Sequence, residues 1–140
     1  MRSLRVFFLV TDLGFIAYWS ITLLGWIPAE WAFNGYHDPV LVAWNWSFLP
    51  LDLLVSATGL TALWAGRTGR LDWRGLALVS LALTSASGLN AVAFWALRGD
   101  FSWQWWLPNL YLLAYPWVFL PGLMGLSLSP AKQVSLSRHI

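Results

Sequence analysis

The stretch Ala43-Trp44-Asn45-Trp46-Ser47-Phe48-Leu49-Pro50-Leu51-Asp52-Leu53-Leu54 places a carboxylate, Asp52, inside an otherwise apolar run, two residues after a proline. Asn45 lies seven positions upstream, on the same helical face. The stretch reads as the outer two-thirds of a membrane helix, and that reading constrains the rest of the chain. An ionisable group in hydrocarbon is costly, so Asp52 must face the protein interior and find a partner there.

Composition sets the class. The chain has 140 residues, 59% of them hydrophobic, with eight basic and six acidic residues, too little polar surface for a soluble domain. The expected fold is all-α: an integral membrane four-helix bundle in one domain, residues 1–140, with spans at about 6–27, 40–66, 75–97 and 107–127. The basic start before Val6 resembles a cleaved signal. The run it precedes is too long, carries Asp12, and ends in Trp26-Ile27-Pro28 without a small-residue cleavage site, so it reads as the first span. The third span is rich in Ala, Ser and Gly, which lets neighbouring backbones approach closely.

Several chemistries are excluded. The absence of cysteine removes disulfides, thiol catalysis and Cys-ligated metals. His37 and His139 both fall outside the spans, so neither a metal site nor a cofactor is expected. The basic residues sit beside the spans, which argues for topology rather than for nucleic-acid binding. Arg2, Arg5, Arg67, Arg70, Arg74, Lys132 and Arg138 lie on one side and Arg98 on the other, so both termini are expected in the cytoplasm, in a bacterial inner membrane. Most of the twelve tryptophans read as an interfacial belt, but Trp19 and Trp117 fall near mid-membrane.

Counting about 1.5 Å per residue from the cytoplasmic ends puts Tyr18, Asp52, Asn90 and Tyr115 at one depth, with Trp19 and Trp117 beside them. The expected site is therefore a pocket floored by Asp52, with Asn90 orienting the acid and with Tyr18, Trp19, Asn45, Trp46, Tyr115 and Trp117 around a ligand. A plainer reading has Asp52 satisfied by Asn90 or a tyrosine hydroxyl, fixing helix packing alone. Pro50 removes a backbone donor and frees the carbonyl of Trp46, bending the helix and opening space above Asp52. Pro116 and Pro121 act in the same way on the fourth span. Asp12 is a second intramembrane acid, placed lower, near the depth of Ser56 and Thr58; a helix-dipole role, a snorkelling contact to Arg5 or Arg67 and a functional role all stay open. Asp38, before Pro39, reads as a helix cap.

The run His37-Asp38-Pro39-Val40-Leu41, with Ala43-Trp44, Ser47-Phe48-Leu49 and Asp52-Leu53, resembles the second-helix region of EXPERA-domain proteins, the group of the sigma-two receptor and emopamil-binding protein. Tyr115-Pro116-Trp117 with Leu120-Pro121 resembles that group's last span, and Ile21-Thr22-Leu23 its first. The resemblance implies a four-helix bundle, often dimeric, around a pocket for sterols or cationic amphiphiles. It puts Asp52 at the receptor branch's pocket acid and Asp38 at its pre-helix aspartate. Gly25-Trp26 stands where that branch has its other acid, and Phe48 where the isomerase branch has a histidine. The whole chain is also similar to small uncharacterised bacterial proteins of the YvaD type.

The leading expectation is a membrane protein that binds a small hydrophobic or cationic amphiphilic ligand, sterol- or terpenoid-like, against aromatic faces that attract a cation. The alternative is a membrane-embedded isomerase or cyclase in which Asp52 gives a proton and the tryptophans stabilise the cation. A proton-coupled small exporter and a ligand-free accessory subunit are further readings. Expected partners are the lipid bilayer, the ligand, and a second copy in a homodimer.

Overall fold

The computed structural model describes residues 2–28, 33, 35–69 and 71–125. Six helical segments follow one another: α1 (Arg2–Leu23), α2 (Pro39–Trp46), α3 (Leu49–Thr68), α4 (Trp73–Leu97), α5 (Trp103–Ala114) and α6 (Pro116–Leu123). There is no strand among the described residues. Since α2 runs almost directly into α3, and α5 into α6, the segments form four helical rods. Three of them, Arg2–Leu23, Pro39–Thr68 and Trp73–Leu97, are long and apolar enough to cross a membrane.

The first rod starts four residues earlier than expected and ends four earlier, at Leu23. A Schellman turn stops it: Gly25 takes φ 65°, its N–H donates to the Thr22 carbonyl at 3.1 Å, and the Trp26 N–H reaches back to Ile21 at 3.1 Å. The third rod ends where expected by the same device, with the Asp100 N–H donating to Trp95 at 3.1 Å. At its other end, Asp72 caps it by accepting from the Arg74 N–H at 3.0 Å. Asp38 caps α2, as expected, by accepting from Val40 at 2.8 Å.

The second rod loses its regular α-helical hydrogen bonding midway, although the backbone there keeps helical angles. It breaks at Ser47 and Phe48, because Pro50 has no N–H to offer the Trp46 carbonyl and fits best in the first turn of a new helix. The fourth rod begins at Trp103, earlier than expected, and breaks at Tyr115, where Pro116 opens α6. Its predicted last residues, 126 and 127, lie outside the described residues, as do Arg70, Lys132 and Arg138 of the charge pattern.

Packing runs α1 on α3, α3 on α4, and α4 on α5 and α6. Small residues allow this. A Cβ on Gly88 would come within 2.5 Å of the Leu113 nitrogen and 2.6 Å of the Asn109 carbonyl oxygen, so α4 and α5 touch backbone to backbone. At one end of the molecule, Phe7 of α1 stacks on Tyr115 with ring centroids 5.1 Å apart and meets Phe119 edge-on at 5.2 Å. That aromatic seal closes the seam between α1 and the fourth rod. Further along the seam, α1 and α5 separate, and the gap is the cavity described next.

Candidate functional site

A cavity of about 640 Å³ lies between α1 and α5, with α3 and α4 beneath it. Its size falls within the range of pockets that enclose drug-sized molecules. Phe15 and Tyr18 wall it on α1, Trp105 and Pro108 on α5, and Trp44, Phe48 and Ala91 from below. Trp26, Ile27, Pro28 and Gln104 line it near the chain turns that follow α1 and precede α5.

Asp52 sits on the floor, 4% exposed. Both of its oxygens are engaged: Trp19 Nε1 donates to Oδ2 at 2.9 Å and Ser87 Oγ donates to Oδ1 at 3.0 Å. These donors come from α1 and α4, so the acid ties three rods together. A carboxylate has about four acceptor positions, and two neighbours leave capacity for a donor arriving from the cavity. Beside it, the Tyr18 hydroxyl donates to Asn45 Oδ1 at 3.2 Å, linking α1 to α2. The Tyr18 ring meets the Trp19 ring edge-on at 5.0 Å.

Of the expected residues, Tyr18, Trp19, Asn45 and Asp52 come together on this cavity. Trp46 is one step removed: it does not line the cavity but packs on Trp19, ring centroids 5.5 Å apart. The other three are placed elsewhere. Asn90 is exposed on the outer face of α4, and Ser87, three residues earlier and about 60° around the helix, takes the contact with Asp52 expected of it. Tyr115 turns towards Phe7 and Tyr111 instead of the cavity. Trp117 is 63% exposed and points outward, its indole N–H tied to Ser85 Oγ at 3.0 Å.

Ser87 and Trp105 were not singled out by sequence reasoning. Ser87 was hidden among the small residues of Ser85-Ala86-Ser87-Gly88, and Trp105 among the interfacial tryptophans. The indole N–H of Trp105 is buried without an acceptor. Asp12, as expected, lies apart from the cavity, and it is 0% exposed. Among the described residues there is no group of three His, Cys, Asp or Glu side chains that could hold a metal.

Comparison with known proteins places the chain without assigning a chemistry. It is similar to the uncharacterized protein YvaD of Bacillus subtilis (strain 168), 52% identical over 120 residues that cover 86% of this chain and 90% of that protein. No solved structure matches. The expected likeness to EXPERA-domain proteins is not among these findings. Residues 4–129 match the model of a family of unknown function, DUF5360, and the chain belongs to that family.

Proposed function

We propose that this chain is a multi-pass integral membrane protein of the bacterial inner membrane, both termini cytoplasmic, that binds a small amphiphile in the cavity above Asp52. The observation that carries the proposal is a mostly apolar cavity with a single acid on its floor, held at both oxygens and able to accept more. Fixed donors orient the acid before any ligand arrives, which lowers the ordering cost of binding. A ligand that suits it has an apolar body for the aromatic walls and an O–H or N–H donor, cationic or neutral, for Asp52. A protonated amine gains most, from the charge-assisted bond and from the surrounding ring faces. The resemblance of the Asp52 stretch to the second helix of EXPERA-domain proteins fits the same reading.

Three long apolar helices support membrane insertion. Because the chain has no cysteine, single-cysteine variants at Ser3 and Gly99 test the topology cleanly with a membrane-impermeant thiol reagent. Labelling of Gly99→Cys but not Ser3→Cys from the outer side is expected.

Native mass spectrometry and solvent extraction of the purified protein test the ligand. A retained hydrophobe that is not a bilayer lipid is expected in the wild type and missing from Gly14→Leu. Gly14 lines the cavity, and nothing lies within 4 Å of a Cβ added there, so the new side chain narrows the cavity without disturbing the packing. Dansyl-labelled dodecylamine should bind Asp52→Asn about tenfold or more weakly, the worth of one charge-assisted hydrogen bond. Equal binding by wild type, Gly14→Leu and Asp52→Asn would sink the proposal.

A further inference from the structure

Asp12 forms a second polar centre away from the cavity. It is completely buried, and neither carboxylate oxygen has a hydrogen-bond partner. The backbone of α3 presses on it: a methyl group at Gly59 would collide with Oδ2. Ser56 donates to the Asp12 backbone carbonyl at 3.2 Å and leaves the side chain unmatched. Gly59 stands seven residues beyond Asp52 along α3, about 10 Å of helix, so the two acids occupy different heights.

An ionised carboxylate in this position has neither donors nor a counter-charge. Ser56 and Gly59 of α3 stand against it, and Tyr115 at the α5–α6 junction is the titratable group within its electrostatic reach. None of these carries a positive charge. With α3 pressed against the carboxylate, the neutralising species that needs no added volume is a proton. A neutral acid also brings its own donor.

We propose that Asp12 is a proton-binding site, occupied at neutral pH. A hydronium ion gives one proton to a carboxylate oxygen of Asp12, leaving water and a neutral acid, and the reverse step empties the site. This site does not depend on which ligand the cavity holds.

Infrared spectroscopy of the protein in liposomes tests the site. At neutral pH, the wild-type spectrum minus that of Asp12→Asn should show the C=O stretch of a protonated carboxylic acid. Carboxylate bands in its place overturn the site. If Asp12→Asn does not insert, solid-state NMR of wild-type protein carrying labelled aspartate gives the same reading, since the chain has only five aspartates to assign. Transfer to D2O then shifts the acid band as O–H becomes O–D, and a band that stays in place overturns the site.

Discussion

Trp19 and Asp52, 33 residues apart in sequence, meet through an indole N–H that donates to a carboxylate oxygen at 2.9 Å, and both side chains are almost fully buried. The contact holds α1 against α3 at the floor of the cavity. It also uses a residue whose flat ring builds the floor, so one side chain serves packing and polarity together.

Trp19→Phe keeps much of the ring and deletes the donor. A buried acceptor left with one partner fewer costs about 1–3 kcal/mol, so a lower thermal midpoint in detergent micelles is expected. In a double-mutant cycle with Asp52→Asn, the combined loss should be smaller than the sum of the single losses. Full additivity would show that the two side chains do not interact.

Gly88→Ala puts a methyl group against the α5 backbone at Asn109 and Leu113, where there is no flexible side chain to give way. Overpacking of this kind costs about 1–3 kcal/mol. Gly14→Ala meets open space and replaces a poor helix former, so its stability should match or exceed the wild type by up to about 1 kcal/mol. Thermal unfolding of the two variants side by side checks the contrast.

Pro50→Ala restores the N–H that the Trp46 carbonyl lacks and lets α2 and α3 join. Stability should change by only about 1 kcal/mol, because Pro50 occupies the first turn of α3, where its fixed φ is favourable. Binding of dansyl-labelled dodecylamine should fall, because straightening the rod moves Phe48 relative to Asp52. A variant with unchanged binding would show that the break does not shape the cavity.

Tyr115→Phe removes a buried hydroxyl that has no hydrogen-bond partner and keeps the ring stacked on Phe7 and Tyr111. Its thermal midpoint should be unchanged or slightly raised, by the equivalent of at most about 1 kcal/mol. A large loss would mean that the hydroxyl is satisfied in the membrane.

The positions of the helices were legible in the sequence because the long apolar runs and the capping Asp38 are local signals. The end of the first helix was not, because the apolar run continues to Ile27 while the turn at Gly25 stops the helix at Leu23. The Pro50 interruption was foreseen as a bend, since the missing N–H is a property of that residue. The lapse in α-helical hydrogen bonding at Ser47 and Phe48 reflects how readily α3 restarts with proline in its first turn.

The candidate site was only partly legible. Counting residues along a span gives height, and height alone grouped Tyr18, Asp52, Asn90 and Tyr115. It cannot say which way a side chain points. These helices are apolar nearly all round, so no stripe marks the inward face, and Asn90 could not be told from Ser87 as the partner of Asp52. Trp117, at the same expected height, faces outward for the same reason.

Sequence by itself determined that the chain is helical, that four apolar runs alternate with short turns, and that an acid in the second run needs an interior partner, because each of these follows from composition and spacing along the chain. Tertiary structure alone decided which partners Asp52 has, that α1 and α5 part to leave a cavity over it, and that Asp12 is sealed against Gly59. Those outcomes depend on how each rod rotates about its axis and where glycine lets two backbones close up, and both are settled only when the helices pack.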